Sequence, residues 1–512
     1  MTPSLHQAPV LIVGAGIMGT GIAQTAAQGG HQVFLFDLRD GAAADAKAKL
    51  TATLNGLVGK GKLNADAAQA ALARIEPVAS LQDAASARLA IEAIVENLDA
   101  KRSLFKQLES VLSHDAVLAT NTSSISVTAI ANGLLHPGRL VGMHFFNPVP
   151  LMKLVEVVSG LQTQASIAEA IFDVSKGWGK VPVHARSTPG FIVNRIARPY
   201  YAETLALLHE QAATPQVLDA CLKAVGFRMG PCELMDLIGH DTNFAVTNSV
   251  YEANFFDKRF VPSLVQREMV DGGLLGRKSG RGFYDYPAGM AALPVPVFEA
   301  PNTAAEITVF GRGAIAEALD QATTRALAAQ GWGPAREARS NWTGLQIDGA
   351  RLVMTDGRSA QELAAAMGHA DIAVFDRPLQ WSAPGPASTA KALAFALNPG
   401  ASAAWQAQAA TWLHALGFTP LPLADTPGLI VARTVAMLIN EAADAVLQGV
   451  CTTDGANAAM KLGVNYPQGP FEWLAGWSAD EVVSLLDRLD AHYRGERYRA
   501  SPWLRRRAHP LS

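Results

Sequence analysis

Residues 10–19 read Val-Leu-Ile-Val-Gly-Ala-Gly-Ile-Met-Gly, and this stretch decides the fold of the first part of the chain. The apolar run Val10–Val13 predicts a buried strand, and residues 18–28 predict the helix that follows it. Between them the glycines form a G-x-G-x-x-G pattern, Gly14, Gly16 and Gly19. The pattern alone is a weak signal, but a strand before it and a helix after it are typical of a dinucleotide-binding turn.

The next predicted strand, residues 33–36, is followed at once by Asp37. An acidic residue at this place accepts hydrogen bonds from the adenosine ribose hydroxyls and repels a 2′-phosphate, so NAD is favoured over NADP. Gly14 permits the tight turn, Gly16 lets the backbone approach the pyrophosphate, and Gly19 lets the helix pack on the strand. A turn that needs its glycines only for geometry is the weaker alternative, because the whole context is present.

Further apolar runs at 89–93, 116–120 and 140–143 alternate with helical patterns, which indicates an α/β fold with a doubly wound parallel sheet. From Thr188 to Leu237 helical periodicity replaces the strands. We therefore place a domain boundary near residue 186.

An internal repeat indicates a duplicated helical domain. Thr188-Pro-Gly-Phe-Ile-Val-Asn-Arg returns 238 positions later as Thr426-Pro-Gly-Leu-Ile-Val-Ala-Arg, and both copies continue to a Gly-Pro-x-Glu motif, at Gly230 and at Gly469. Chance recurrence of so many identities at one offset is improbable.

Between the copies, residues 307–316 resemble a worn strand-glycine-helix turn in which Gly311 and Gly313 remain and Ala316 replaces the third glycine. This segment is either a decayed nucleotide-binding fold or an unrelated α/β segment. The predicted organisation is a Rossmann domain at 1–186, a helical domain at 187–286, a linker at 287–304, a degenerate Rossmann-like segment at 305–424, and a second helical domain at 425–512.

Composition limits the class of protein. The 512 residues are 49% hydrophobic and 17% charged with a net charge of −3, as in a globular enzyme of several domains, without the basic excess of a nucleic-acid-binding protein. The three cysteines have no metal-ligand spacing, so no metal site is expected. Residues 1–9 lack a signal-peptide pattern and no apolar run reaches the ~20 residues that span a bilayer, so we expect a cytoplasmic protein without membrane contact. The basic residues 505–507 are interpreted as a solvated tail.

Two polar motifs follow predicted strands, at the edge where such sheets bind ligands. His144 follows the strand at 140–143, and Glu156 comes twelve positions later. A histidine paired with a carboxylate is a general base, although a lone histidine is more often a core residue. Asn121-Thr-Ser123-Ser124 follows another strand, and by itself would be interpreted as a turn or helix cap.

Taken in order, these motifs resemble the 3-hydroxyacyl-CoA dehydrogenase family. The resemblance is carried by the glycine turn, Glu92-Ala-Ile-Val-Glu96-Asn, Asn121-Thr-Ser-Ser, His144-Phe-Phe-Asn-Pro-Val-Pro, Lys153-Leu-Val-Glu156, Pro189-Gly-Phe-Ile-Val-Asn194-Arg and Gly276-Arg-Lys278-Ser-Gly-Arg-Gly-Phe-Tyr. It covers residues 9–286 closely, and residues 426 to about 480 through the repeat.

The resemblance implies NAD as cofactor and a 3-hydroxyacyl-CoA as substrate. His144 would accept the 3-hydroxyl proton, Glu156 would pair with the other imidazole nitrogen, and Ser123 and Asn194 would bind the reacting oxygen and the thioester carbonyl. Family positions for cofactor contacts are Gly14, Gly16, Ile17, Met18, Gly19, Asp37, Glu96, Lys101, Ser123, Asn147 and Lys278. Thr53 and Lys60 match positions that touch the coenzyme A moiety, although ordinary surface residues fit there equally well.

The second copy departs from the family, because Ala432 stands where the first copy has Asn194. We expect that copy to be catalytically empty and to pack in cis on the first, with a homodimer left open. The two-copy length resembles the form of the family found in bacterial phenylacetate catabolism, whose substrate, 3-hydroxyadipyl-CoA, ends in a carboxylate. The alternatives are a short-chain 3-hydroxybutyryl-CoA dehydrogenase and a non-catalytic NAD-binding structural protein. A multifunctional β-oxidation chain is disfavoured because the glycine turn begins at residue 14.

Overall fold

A computed structural model of the chain describes residues 3–289, 293, 298, 301, 305–328, 333–379, 381 and 391–508. The chain forms two compact units. The first contains Met1–Arg195 and Ala445–Asn465, and the second contains Ile196–Asp444 and Tyr466–Ser512. Most of the predicted linker at 287–304 lies outside the described residues. In the described ranges, every helix is too short or too polar to cross a bilayer.

The first unit is built on an eight-stranded sheet of order β3-β2-β1-β4-β5-β6-β7-β8. Its strands are β1 (Val10–Val13), β2 (Val33–Phe36), β3 (Ile75–Pro77), β4 (Leu89–Glu92), β5 (Val117–Thr120), β6 (Leu140–Phe145), β7 (Leu154–Ser159) and β8 (Val181–Arg186). The predicted doubly wound parallel Rossmann sheet is confirmed, and one pair at its end, β6–β7, runs antiparallel. The eight residues between them are too few for a crossover helix.

Helices cover both faces of this sheet, which explains why every residue of β1, β4 and β5 is buried. They are α1 (Ile17–Gln28), α2 (Ala42–Gly59), α3 (Ala65–Ala73), α4 (Leu98–Val111), α5 (Val127–Ala131), α6 (Ala165–Gly177) and the short α7 (Val193–Ile196). The predicted strand bounds hold to within two residues. The largest difference is at β6, which continues through His144 to Phe145, so His144 lies in the strand and not after it.

In the second unit, the first helical copy contains α8 (Arg198–His209), α9 (Pro215–Ala224), α10 (Pro231–Ile238), α11 (His240–Ala253) and α12 (Leu264–Asp271). Prolines open α9 and α10, where the missing N–H is not needed by the helix. The change from strand to helical patterns near residue 186 therefore corresponds to the end of β8 and the beginning of helical structure.

A second sheet follows, of order β10-β9-β11-β12-β13-β14-β15. It consists of β9 (Ile307–Phe310), β10 (Ala335–Glu337), β11 (Gly344–Ile347), β12 (Ala350–Met354), β13 (Ile372–Phe375), β14 (Lys391–Leu397) and β15 (Phe418–Pro422), with α13 (Ala314–Ala326), α14 (Ala360–Met367) and α15 (Ala403–Ala415). Its glycine turn repeats the backbone geometry of the first. Gly14 N–H donates to the carbonyl of Phe36 at 2.8 Å, and Gly311 N–H donates to that of Glu337 at 3.1 Å.

The second helical copy contains α16 (Val431–Leu447), α17 (Thr453–Gly463), α18 (Pro470–Gly476), α19 (Ala479–Tyr493) and α20 (Pro502–Ala508). Residues 505–507 lie in the helix α20 and so do not form a tail, although all three remain exposed as predicted. Arg505 pairs with Asp487 of α19.

Inside the second unit, the two helical copies are joined by buried ion pairs that repeat with the 238-residue offset. Arg497 of the second copy binds Glu203 of the first at 2.8 Å, and Arg259 of the first binds Glu441 of the second at 3.2 Å. Arg433 adds a second contact to Glu203 at 2.6 Å. Breaking a buried pair by removing one partner costs about 3–5 kcal/mol, so these pairs fix the register of one copy on the other.

Candidate active site

The glycine turn between β1 and α1 leaves an open site at the helix N-terminus. A Cβ on Gly14, whose φ is +107°, would lie 2.4 Å from the carbonyl oxygen of Ala93, and one on Gly19 would lie 1.8 Å from that of Gly14. A Cβ on Gly16 would meet nothing within 4 Å. Two glycines are thus required by packing and the third faces free space, where the first N–H groups of α1 can bind a phosphate.

Asp37 lies beside this turn and is held in place before any ligand binds. Its carboxylate accepts from the N–H of Ala15 at 2.8 Å and from the N–H and Nε of Arg39, each at 3.0 Å. Burial raises the pKa of Asp37, but the Arg39 and Ala15 hydrogen bonds outweigh it and lower the pKa to about 2. The residue is therefore anionic at neutral pH, on the wall of a cavity of about 610 Å³ that Gly14, Gly16 and Leu104 also line.

These residues fit a dinucleotide. The free helix N-terminus suits the pyrophosphate, and the cavity beyond Asp37 has apolar walls from Val95 and Leu104 that suit an adenine ring. A neighbouring cavity of about 580 Å³ is lined by Ile17, Thr53 and Asn147, so the structure brings these three predicted residues together.

Other predicted residues lie elsewhere. Met18 is half-buried against the core of the first unit. Lys60 is exposed at the C-terminal end of α2 and does not line the 580 Å³ cavity. Lys278 belongs to the second unit, where its ammonium pairs with Asp241. In the described part of the chain, no cluster of His, Cys, Asp or Glu is arranged to hold a metal ion.

A buried ion pair supports the loop that carries Ser123. Lys101 is 1% exposed, and its Nζ lies 2.6 Å from Glu92 Oε1 and 3.2 Å from Glu96 Oε2. Glu96 Oε1 accepts from Thr122 Oγ1 at 2.6 Å and from the N–H of Ser123 at 3.0 Å, and it also accepts from Ser124. Burial raises the pKa of Glu96, but the charge of Lys101 and these donors lower it to about 2.

The loop at Ser123 is thus fixed by a permanently charged carboxylate. Glu92 is the member of this network that sequence reasoning quoted but gave no role. Its full burial next to a buried lysine could have been inferred from an acidic residue ending a wholly apolar strand.

His144 and Glu156 face each other across the antiparallel pair β6–β7. His144 Nδ1 lies 2.5 Å from Glu156 Oε2, and the carboxylate is completely buried. Glu156 Oε1 accepts from the N–H groups of Ile192 and Val193, each at 3.0 Å. Both oxygens are therefore used, which fixes the carboxylate and, through it, the plane of the imidazole.

Aromatic rings enclose the imidazole on two sides. The ring of Phe146 lies 4.6 Å from that of His144, and the ring of Phe191 lies at 5.8 Å. Nε2 of His144 has no hydrogen-bond partner among the residues that the structure describes. With Nδ1 held by Glu156, the proton of a neutral imidazole lies on Nδ1, so Nε2 is available as a proton acceptor.

Asn194 is the second residue of α7, immediately after Val193, and is half-buried. The turn before it is tight, because Gly190 has a φ of +77° and a Cβ there would lie 2.9 Å from the backbone nitrogen of Arg195. Asn121, which the sequence placed in a turn, accepts from the N–H of Phe145 at 2.9 Å and ties the end of β5 to the end of β6.

Residues from the far end of the sequence also belong to this unit, and sequence reasoning missed them. Gln448 Oε1 accepts from Arg195 Nη1 at 2.8 Å, and the carbonyl of Val450 accepts from the N–H of Arg186 at 2.9 Å. The only available signal was the repeat itself, whose counterparts at Glu210 and Arg433 are both charged.

Known protein domains match most of this chain. The 3-hydroxyacyl-CoA dehydrogenase NAD binding domain matches residues 9–188, and the C-terminal domain of the same family matches residues 190–286 and again 428–509. A domain described as the reduced Rossmann-fold domain of 3-hydroxybutyryl-CoA dehydrogenase matches residues 352–427. The second helical copy is thus a true duplicate of the first.

Similar proteins include the 3-hydroxyadipyl-CoA dehydrogenase of Escherichia coli K12, 43% identical over 98% of this chain and 97% of its own. The 3-hydroxybutyryl-CoA dehydrogenase of Clostridioides difficile is 40% identical over 54% of this chain and 98% of its own. A crystal structure of a 3-hydroxybutyryl-CoA dehydrogenase from E. coli K12 superposes with a TM-score of 0.87 at 42% identity, covering 98% of both chains. This chain therefore belongs to the 3-hydroxyacyl-CoA dehydrogenase family and is an NAD-dependent oxidoreductase that oxidises 3-hydroxyacyl-CoA.

Proposed function

We propose that His144 is the general base of this oxidation and that the substrate is an L-3-hydroxyacyl-CoA whose acyl chain ends in a carboxylate, such as 3-hydroxyadipyl-CoA. The observation that carries the base is the contact of 2.5 Å between His144 Nδ1 and a fully buried Glu156. A buried carboxylate with both oxygens occupied cannot move away, so the imidazole is oriented before substrate arrives.

The substrate hydroxyl would donate its proton to His144 Nε2 as the C3–H bond breaks. Bound NAD supplies the acceptor for the hydride that leaves C3. The imidazolium that forms would be stabilised by the carboxylate of Glu156, which two backbone N–H groups hold in place. In the reverse direction, the same imidazolium returns the proton to the 3-oxo oxygen.

Ser123 and Asn194 would bind the reacting oxygen and the thioester carbonyl. Ser123 is suited to this because Glu96 fixes its backbone N–H and those of its neighbours. Donors held in place in advance need no reorganisation when charge develops on an oxygen, and one such donor is worth about 10²–10³ in kcat. We further propose that Ile17, Thr53 and Asn147 line the path of the phosphate-bearing groups, since they share one cavity.

The relative that spans the same two-copy length supports the dicarboxylic substrate, because its name is 3-hydroxyadipyl-CoA dehydrogenase. The competing candidate is 3-hydroxybutyryl-CoA, which the names of the solved E. coli structure and of the shorter relatives favour.

We also propose the five segments given above as the domain organisation, with the second helical copy holding no catalytic residue of its own. Two observations support an inactive copy. Ala432 lacks the side chain that Asn194 supplies, and the paired arginines and glutamates of the second unit give the duplicate a packing role.

The test is NADH formation with a panel of 3-hydroxyacyl-CoAs, with and without a terminal carboxylate, by the wild type, His144→Gln and His184→Gln. We expect kcat/KM to be highest for the carboxylate-bearing substrate. His144→Gln should lower kcat by ~10²–10⁴, as loss of a general base does, with near-normal affinity for NAD. His184 is half-exposed on β8 beside Glu169, so the same substitution there should leave kcat unchanged.

Near-normal kcat in His144→Gln would show that another group takes the proton. Equal or higher kcat/KM for 3-hydroxybutyryl-CoA would assign the short-chain substrate and leave the role of His144 untouched. The two halves of the proposal are thus tested separately.

A further inference from the structure

We propose that Gln448, contributed by the otherwise inactive second helical copy, is a positioning residue for the reaction at His144 and Asn194. This inference rests on the proposed roles of those two residues. It gives the duplicate a direct part in catalysis, beyond packing.

The segment around Gln448 is part of the same compact unit as the catalytic strands. Residues 445–465 cluster with 1–195, and α17 packs on β7 and β8. The carbonyl of Val450 accepts from the N–H of Arg186 at the end of β8, at 2.9 Å. Gly449, with a φ of +67°, lies under the Arg186 guanidinium, since a Cβ on it would be 3.5 Å from Nη1. The segment that follows Gln448 is therefore anchored to the sheet.

Gln448 acts on the turn that holds Glu156. Its Oε1 accepts from Arg195 Nη1 at 2.8 Å, and Arg195 is only 4% exposed. The backbone N–H of Arg195 donates to the carbonyl of Gly190 at 3.1 Å and so closes the turn that presents the N–H groups of Ile192 and Val193. Arg195 is thus held at its backbone by the turn and at its side chain by Gln448, directly next to Asn194.

A second contact leads to the imidazole itself. Gly463 at the end of α17 is so close to the first copy that a Cβ there would lie 2.7 Å from Leu154 Cδ2 and 3.0 Å from Val193 Cγ2. The ring of Phe146, which packs against His144, would be 3.6 Å away. The duplicate therefore touches the residues on both sides of the His144–Glu156 pair.

The repeat distinguishes the Gln448–Arg195 contact from an ordinary packing contact. With the same 238-residue offset, Arg195 corresponds to Arg433 and Gln448 to Glu210, and Arg433 Nη2 lies 3.4 Å from Glu210 Oε1. The contact is thus reciprocal, but its acceptor is a carboxylate beside the inactive copy and a neutral amide beside the active site. A carboxylate at 448 would offset the positive charge of Arg195 close to Glu156, whereas glutamine holds the guanidinium without changing the charge.

Cys451 marks how near this segment is to the reacting pair. Burial and then the charge of Glu156 raise the pKa of its thiol, the charge of Arg195 opposes them, and the net result is a pKa of about 12. Charges at position 448 therefore act on the same surroundings as the catalytic carboxylate.

The test compares Gln448→Leu, Gln448→Glu and the matched variant Glu210→Leu, each in the full-length enzyme with NAD and the best 3-hydroxyacyl-CoA. Gln448→Leu removes the acceptor and should lower kcat on the order of tenfold with little change in KM for NAD; a misplacement of 1 Å can cost ~10²-fold. Gln448→Glu restores an acceptor and should recover most of kcat. Its added negative charge favours the imidazolium, so the pH at which activity falls on the acid side should move upward, on the order of half a unit.

Glu210→Leu truncates the reciprocal pair and should leave kcat and the pH profile unchanged, because Arg433 keeps Glu203 and no reacting group is near. Wild-type kcat in Gln448→Leu would overturn the proposal. So would an equal loss of kcat in Glu210→Leu, since the effect would then be general destabilisation. Retained kcat in His144→Gln would instead overturn the base assignment, whatever the 448 variants show.

Discussion

In each of the two α/β sheets of this chain, a carboxylate accepts hydrogen bonds from equivalent backbone N–H groups. The carboxylate comes from a different strand in each sheet. In the first, Glu156 on β7 accepts from the N–H groups of Ile192 and Val193. In the second, the repeat places Ala394 of β14 at the position of Glu156, and Asp376 accepts from the N–H groups of Ile430, Val431 and Ala432. A carboxylate therefore holds this turn in both copies.

Register shows which residue Asp376 replaces. His144 is paired across β6–β7 with Glu156, and Asp376 donates its N–H to the carbonyl of Ala394 on β14. Asp376 thus occupies the place of His144, and the small side chain of Ala394 lets it reach the turn directly. In the first copy the N–H groups of the turn donate to one oxygen of Glu156, which leaves the other oxygen for the imidazole. On the proposed mechanism, one carboxylate there serves both structure and chemistry.

The comparison predicts its largest effect for matched carboxylate-to-amide changes. Glu156→Gln should lower kcat by about 10²-fold or more, because the imidazolium loses its counter-charge and Nδ1 loses an acceptor of fixed orientation. The acid limb of the pH profile should move to lower pH, since the cation is less stable. Asp376→Asn should leave kcat unchanged when expressed per folded molecule.

Steady-state kinetics normalised to the NAD-binding-competent fraction separates these outcomes. If Asp376→Asn cost as much kcat as Glu156→Gln, the second sheet could not be the inactive partner that its residues indicate. Near-normal kcat in Glu156→Gln would reduce that residue to the structural role of Asp376.

Part of the candidate site could be predicted from the sequence, because several of its residues follow an apolar strand. Gly14, Asp37 and Ser123 obey this rule, whereas Glu156 lies inside β7. The resemblance to a family then assigned roles to all four. His144 was predicted to follow its strand but lies inside it, because the strand ends two residues later than predicted. The antiparallel turn between β6 and β7 has no local signature other than its short loop.

The sequence could not show contacts between residues that lie far apart along the chain. Gln448 is one polar residue at the end of an apolar helix, and only its distance to Arg195 reveals its surroundings. Asp376 was likewise invisible, since the repeat aligned Glu156 with an alanine and gave no reason to look on the neighbouring strand. Both depend on long-range packing, which periodicity does not encode.

A smaller effect is expected on the free energy of unfolding. Its change with pH has opposite signs for the two units. Burial raises the pKa of Asp376 to about 6 despite the N–H groups that donate to it. A raised folded-state pKa stabilises the fold below pH 4, and this stabilisation is lost as the pH rises through 6. For Glu96, whose pKa is lowered to about 2, stabilisation is present above pH 4.5 and is lost as the pH falls toward 2.

Urea unfolding of each variant against the wild type checks these signs. The advantage of the wild type over Asp376→Asn should fall by up to about 3 kcal/mol between pH 4 and pH 7. Its advantage over Glu96→Gln should instead grow between pH 3 and pH 6. The same sign for both variants would contradict the contrast between the units.

The smallest effect compares the two glycine turns. Gly14 and Gly311 make the same backbone hydrogen bond to the neighbouring strand, but only the first turn is followed by an aspartate whose pKa is lowered to about 2. A fixed negative charge there disfavours a 2′-phosphate and accepts the ribose hydroxyls. Asp37→Ser removes that charge and frees Arg39, now bound to Asp37 at 3.0 Å, to meet a phosphate. We expect the ratio of kcat/KM for NADP to that for NAD to rise about tenfold, equivalent to roughly 1.4 kcal/mol.

Glu337→Ser, which removes the acidic residue beside the second glycine turn, should leave the ratio unchanged. A wild type that already uses both cofactors equally would show that Asp37 does not select between them, and a shift in Glu337→Ser would place cofactor binding in the second sheet as well.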